Sequence, residues 1–230
     1  MRGGKRVGSA MQAVKVYNMR EVDELVFLDI SATREGREPD YELVDDLADE
    51  CFMPLTVGGG VSTVEHFERL LKVGADKVAV NTALVERPEV VREAAETFGS
   101  QCVVASIDCR RAADGSQEVF TRSGTTPTGR TPVDLAQQVQ ELGAGEILLT
   151  SIDRDGTMEG YDLQAIRLVA GAVTIPVIAS GGAGEYRHMA EALLDAGASA
   201  VAAASMFHFT EQTPLEAKHY LRGRDIAVRV

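Results

Sequence analysis

The sequence predicts an α/β protein, a (β/α)8 barrel built of two half-barrels, and three observations carry that expectation. An internal repeat at an offset of about 122 residues returns Glu24-Leu25-Val26-Phe27-Leu28-Asp29 as Glu146-Ile147-Leu148-Leu149-Thr150-Ser151. Short β-branched runs alternate with helical patterns along the whole chain. Pro54 and Pro176 each lead an apolar run into glycines, Gly58-Gly59-Gly60 in one copy and Gly181-Gly182 in the other. Strand-helix alternation implies one parallel sheet, and continuous apolarity marks strands buried on both faces. An open doubly wound sheet would carry a single Gly-x-Gly-x-x-Gly followed by an acidic ribose ligand; equivalent glycine-rich ends in both halves favour a closed barrel.

Strands are expected over residues 24–30, 55–57, 77–80, 103–107, 146–150, 177–179 and 200–203, one short of eight. Shifting the run at 103–108 back by the repeat offset places its partner before residue 1, and the basic, glycine-rich residues 1–9 do not resemble it. The first strand is therefore expected to be absent, with the chain entering at a helix near residues 10–19. The edges at 24–30 and 200–203 should then be unpaired and frayed. Helix starts are signalled by Ser62 with Glu65, by Thr131-Pro132, and by Thr213-Pro214 with Glu216. No linker interrupts the pattern, so residues 1–230 are expected to form a single barrel domain.

At 45% apolar and 25% charged residues, the chain can bury a core of this size. A net charge of −12 without a basic stripe argues against nucleic acid or an anionic membrane as partner. No apolar stretch approaches a membrane span, and the first ten residues lack a signal-type apolar core; a soluble, cytoplasmic protein is expected. Cys51, Cys102 and Cys109 are odd in number and lack metal spacing, so they read as reduced, buried thiols. His66, His188, His208 and His219 show no ligand spacing and read as structural or solvent-facing. Asp153-Arg154-Asp155-Gly156 resembles the start of a calcium loop but lacks the later glutamate. Neither a metal nor a cofactor is expected.

The glycines are the strongest local signal for chemistry. At the C-terminal ends of barrel strands they let backbone amides approach an oxyanion. One candidate cradle is Gly58, Gly59 and Gly60 with Asn81 and Thr82; the other is Thr150, Asp155, Gly156, Ser180, Gly181 and Gly182 with Ala204 and Ser205. Two such cradles across the mouth suit a substrate with a phosphate at each end; the plainer reading is that the glycines make tight turns. Asp108 follows Val103-Val104-Ala105-Ser106-Ile107 at an expected strand end. There it could be a general acid or base, or a helix-capping aspartate. Glu24, Lys77 and Glu146 fall at strand starts, at the opposite end of the barrel, and form either a buried ionic ring or a gate to its axis.

Over nearly its whole length the chain resembles the cyclase subunit of imidazole glycerol phosphate synthase. The resemblance is carried by Asp23-Glu24-Leu25-Val26-Phe27-Leu28-Asp29-Ile30, Val57-Gly58-Gly59-Gly60, Gly74-Ala75-Asp76-Lys77, Phe98-Gly99-Ser100-Gln101, the run from Gly143 to Gly156, and Ala179-Ser180-Gly181-Gly182-Ala183-Gly184. It implies a barrel that takes ammonia from a partner glutaminase through its axis. It implies a lyase reaction on a bisphosphorylated formimino-aminoimidazole carboxamide ribonucleotide, giving imidazole glycerol phosphate and an aminoimidazole carboxamide ribotide in histidine biosynthesis. By the same resemblance Asp108 corresponds to the general acid, the two cradles to two phosphate sites, Glu24, Lys77 and Glu146 to the charged gate, and Asp76 to the glutaminase contact.

The chain also departs from that pattern. The family's general base lies at the end of strand one, with a lysine on the following loop and an arginine of the gate, and none of the three has a counterpart here. Weak or absent cyclase activity is therefore expected of the 230-residue chain. The stretch Arg37-Glu38-Pro39-Asp40-Tyr41 through Cys51-Phe52-Met53-Pro54, and Ser106-Ile107-Asp108-Cys109-Arg110, are similar to paralogues of bacterial surface-polysaccharide pathways. For those the implied role is an ammonia conduit or scaffold for a glutaminase that amidates a sugar. A third reading makes Met1 an internal methionine of a longer product whose upstream strand ends in aspartate.

Overall fold

In the computed structural model residues 10–229 are described, and residues 1–9, expected not to form a strand, lie outside them. Helix α1 (Ala10–Met19) leads into β1 (Leu25–Leu28), followed by β2 (Leu55–Gly58), β3 (Lys77–Val80) and β4 (Val103–Arg111). An antiparallel excursion, β5 (Gln117–Thr121) and β6 (Thr126–Pro127), precedes β7 (Glu146–Ser151), β8 (Val177–Ser180) and β9 (Ala200–Val201). Helices α2 (Ala32–Glu35) and α3 (Tyr41–Asp49) follow β1, α4 (Val64–Lys72) follows β2, and α5 (Ala83–Glu86) and α6 (Glu89–Phe98) follow β3. In the second half come α7 (Pro132–Glu141), α8 (Leu163–Ala170), α9 (Tyr186–Leu194), α10 (Ser205–Phe209) and α11 (Pro214–Arg222).

The parallel strands run in the order β1-β2-β3-β4-β7-β8-β9. Among the described residues nothing pairs with the outer edge of β1 or of β9, as expected for a barrel short of its first strand. The two edges nevertheless line one cavity, so the sheet is curled. Burial records the break. All four residues of β2 are buried, whereas β1 is half-buried until Leu28, which is 38% exposed.

The repeat is structural as well as textual. Leu25 pairs with Leu55 as Ile147 pairs with Val177, and the N–H groups of Leu25 and Ile147 donate to the carbonyls of Pro54 and Pro176, both at 2.9 Å. The Asp76 carboxylate accepts the Leu55 N–H, and the Ser199 hydroxyl accepts the Val177 N–H in the equivalent place. His66 Nδ1 accepts the Ser62 N–H, and His188 Nδ1 that of Gly184. His208 bonds the Tyr17 hydroxyl, so these three imidazoles are all engaged inside the fold.

Two apolar layers hold the barrel together. The larger lies between strands and helices, around Leu47, Phe67, Leu84, Leu135 and Ile166. The smaller fills the barrel interior, where Ala79, Val104 and Leu148 are buried while Val26, Ile178 and Ala202, nearest the break, are only half-buried. Burial at about 25 cal/mol per Å2 is the main stabilising term of both layers.

Several local expectations need correction. Helix α4 is capped by Thr63, whose hydroxyl accepts the His66 N–H, not by Ser62, because the Ser62 amide is turned onto the His66 ring. Thr131 and Thr213 cap α7 and α11 as the sequence predicts, the latter reciprocally with Glu216. Strand β9 covers Ala200–Val201, shorter than 200–203, and β1 covers Leu25–Leu28, shorter than 24–30. An edge without a partner has nothing to extend the ladder. Strand β4 does not end at Asp108 but runs on to Arg111, because β5 pairs with its overhang through Asp108 opposite Phe120.

Candidate active site

Asp108 sits where β4 passes from the barrel into the hairpin, beside Thr150 of β7 on one side and Phe120 of β5 on the other. Its side chain is half-buried at the mouth, and its carboxylate has no hydrogen-bond donor among the described residues. Burial raises its pKa to about 7, and the neighbouring Asp155 carboxylate adds to the shift. Asp155 is itself pushed up by the surrounding protein, an effect the Gly156 amide partly offsets. A carboxyl poised near neutrality can deliver and recover a proton at physiological pH.

The other mouth carboxylates are committed. Asp29 takes bonds from the Ser31 amide and hydroxyl, the Ala32 amide and Arg37. Burial would raise its pKa, but those donors outweigh it and hold the group low. Asp153 accepts the Arg111 N–H and pairs with Arg110. Asp162 caps α8 through the Ala165 amide and takes Arg111 at 2.8 Å and Gln117 at 2.9 Å. That bond set staples the β4-β5 hairpin to α8 and so fixes the backbone that carries Asp108.

The two expected cradles differ in openness. Asp155, Gly156, Ser180, Gly181, Gly182, Ala204 and Ser205 line one cavity of about 1130 Å3, bringing together the second set except Thr150, which lies within β7. In the first set the side chains are spent internally. Asn81 Nδ2 donates to the Ser106 carbonyl, and Thr82 Oγ1 accepts the Arg122 N–H. The turn between β5 and β6 takes up Thr82, while Asn81 is held by β4: Arg122 and Ser123 adopt left-handed backbone, Ser123 Oγ donates to the Ile30 carbonyl, and Arg122 pairs with Glu86. The close approach behind the cradles is shared, since a methyl at Gly60 would strike the Arg37 carbonyl and one at Gly182 the Gly160 carbonyl.

At the opposite end of the strands Lys77 Nζ lies 2.9 Å from Glu24 Oε2 and 2.7 Å from Glu146 Oε1. Partial burial pulls the ammonium down, but the bonds from Glu146 and Glu24 outweigh it and hold its pKa above the ordinary lysine value. Glu146 Oε2 is buried without a hydrogen-bond partner among the described residues, so the cluster has more acceptor than donor. Asp76, on the same face, spends a carboxylate oxygen on the Leu55 amide. Lys77→Met should cost about 2 kcal/mol in urea unfolding, because it strands two facing carboxylates. Restoring most of that loss requires Glu24→Gln and Glu146→Gln in the same chain; a loss within about 0.5 kcal/mol would make the trio a solvated surface pair instead.

The thiols fit the sequence reading in part. All three cysteines are free; Cys109 is buried and its thiol pushed up to about 12 by burial and the nearby Asp162, while Cys51 and Cys102 are half-buried. Among the described residues no group of three or more His, Cys, Asp and Glu side chains is placed to hold a metal, and no helix is long and apolar enough to cross a membrane.

A family model described as "Histidine biosynthesis protein" matches residues 2–213. The chain belongs to this family. Membership joins the curled parallel sheet and the strand-end glycines to a histidine-biosynthesis type of barrel enzyme, in a family that includes both the HisF and HisA types. What sequence reasoning missed at the site is the β5–β6 tip that engages Thr82, and the electrostatic coupling of Asp155 to Asp108. The Ser123-Gly124 pair, a turn-forming dipeptide, was the available signal for that tip.

Proposed function

We propose that the chain is a cyclase-type lyase subunit of imidazole glycerol phosphate synthase. It takes ammonia from a partner glutaminase docked beneath Glu24, Asp76, Lys77 and Glu146 and uses it at the mouth on the bisphosphorylated ribonucleotide. The observation that carries this reading is Asp108, a carboxyl near neutrality beside a glycine-lined cradle, with a charged cluster at the far end of the same strands. Asp108 protonates the leaving nitrogen as its bond to carbon breaks and the bond to the glutamine-derived ammonia forms, and Asp155 accepts the proton that the newly attached nitrogen sheds. The Gly181 and Gly182 backbone holds one phosphate, and the Gly58, Gly59 and Gly60 backbone the other. The hairpin turn must yield if Thr82 is to help there, and Asn81 must leave the Ser106 carbonyl.

The alternative is an ammonia conduit or scaffold for a glutaminase that amidates a surface sugar. The contacts of Lys77 with Glu24 and Glu146 at the strand starts favour it, because a conduit needs that face and no proton chemistry at the mouth. Calorimetry with the ribonucleotide, followed by an ammonium-dependent assay for the aminoimidazole product, separates the two. Binding with slow turnover that Asp108→Asn removes supports the cyclase. Absence of ribonucleotide binding, with glutamine hydrolysis by the partner still stimulated, leaves the conduit.

A further inference from the structure

The loop after β8 holds a row of backbone donors with nothing to bond. Gly181, Gly182 and Ala183 are buried, and their three N–H groups have no hydrogen-bond acceptor among the described residues. Buried backbone donors are nearly always paired, so three in succession mark a place for an acceptor from outside the chain. The row stops at Gly184. The N–H groups of Gly184 and Glu185 both donate to Nδ1 of His188, each at 3.2 Å. His188 is 6% exposed, and its ring lies against Gly160, where a methyl would meet ring atoms at 3.4 to 3.6 Å. The Gly160 N–H in turn donates to the Gly182 carbonyl at 2.7 Å, so one imidazole braces the donor row and ties it to the loop that carries Asp155 and Gly156.

We infer that His188 is a positioning residue for the second cradle: it takes up the two amides that would continue the row, leaves three for the oxygens of a phosphate monoester, and does so without adding charge. The inference rests on reading this cradle as a phosphate site. An acceptor at the third position of a helix is ordinarily Glu or Gln, reaching back to the N-cap amide. His188 stands at that position in α9, with Glu185 as the N-cap. A carboxylate there would bring a negative charge beside the bound anion, whereas an imidazole that accepts through Nδ1 is neutral. The Glu185 carboxylate itself is exposed and pairs with Arg187. The repeat contains the same device. His66, one repeat offset before His188, stands at the third position of α4 and accepts the Ser62 N–H through Nδ1 at 3.2 Å, just after Gly58, Gly59 and Gly60.

His188→Gln and His188→Glu test the assignment, since both keep an acceptor and only one keeps it neutral. Inorganic phosphate is titrated into each folded protein at pH 8 while backbone amide shifts are followed by NMR. In the unaltered chain phosphate is expected to move the Gly181, Gly182 and Ala183 amides and to leave those of Gly184 and Glu185 in place. His188→Gln should hold the affinity within about threefold, and His188→Glu should lose about tenfold or more while melting close to His188→Gln. Equal affinities for the two variants overturn the inference and leave the cradle standing. So does an equal response of Gly184 and Glu185 in the unaltered chain, a measurement that decides even if His188→Glu does not fold. No response from any amide of residues 181–185 overturns both the inference and the phosphate reading of this cradle.

Discussion

Asp108→Asn should abolish ammonium-dependent turnover, by about 10²- to 10⁴-fold, and at the same time make the protein more stable above neutral pH. The two effects have one cause. Burial and the Asp155 carboxylate raise the Asp108 pKa to about 7, whereas in the unfolded chain it titrates near the ordinary aspartate value of about 3.9. Between those values the folded state holds a proton that the unfolded state has released, so raising the pH favours unfolding across that window. Below about pH 4 both states are protonated and the group costs nothing; above about pH 7 both are ionised and the full cost is present. An amide escapes the cost. Because the side chain keeps some contact with solvent in the mouth, the expected gain at pH 8 is about 2 kcal/mol rather than the full value of the shift. Urea unfolding of both proteins at pH 4 and pH 8 isolates Asp108 with its coupling to Asp155, since the titrations of the other groups cancel in the difference. An equal difference at the two pH values would mean that Asp108 is an ordinary, solvated aspartate and not a proton donor at neutral pH.

How much of this was legible in the sequence depends on the range of the interaction involved. The repeat, the strand-helix order and the unpaired edges are written in local patterns and in the offset between them. They return in the structure as equal registers, Leu25 beside Leu55 and Ile147 beside Val177. The cluster of Glu24, Lys77 and Glu146 was legible too, because strand starts of a closed barrel converge on one rim. The cap of α4 was not, since Ser62 and Thr63 are equally good capping residues and only the turn of the Ser62 amide onto His66 decides between them. The covering of Thr82 was hidden for a different reason. It depends on a hairpin tip reaching across the mouth from Arg122 and Ser123 to Thr82 and Ile30, a contact between segments about forty to ninety residues apart. The electrostatic coupling of Asp155 to Asp108 is likewise a property of the folded mouth and has no signature in the spacing of the two residues.

Gly182→Ala and Gly156→Ala, compared in one series, should divide the second cradle into the part that folds it and the part that binds. Both glycines line the cavity and both have backbone angles that favour glycine, φ of 109° at Gly182 and 75° at Gly156. They differ in what stands behind them. At Gly182 a methyl would overlap the Gly160 carbonyl and come within 3.0 Å of the Arg154 Cβ, while Gly160 N–H already donates to the Gly182 carbonyl at 2.7 Å. That locked pair of backbones cannot shift without giving up the hydrogen bond, so the expected cost is about 3 kcal/mol or more in urea unfolding. At Gly156 nothing lies within 4 Å of the added methyl, and the expected cost is the conformational one alone, about 1 kcal/mol. Binding should rank the other way round in meaning. If Gly156 faces bound phosphate, its methyl fills ligand space and weakens inorganic phosphate binding with the fold intact. At Gly182 any loss of binding follows loss of structure and should be regained in part at low temperature. Full phosphate affinity in folded Gly156→Ala would show that the 155–156 turn does not touch the anion, and would move the phosphate onto the Gly181, Gly182 and Ser205 side of the cavity.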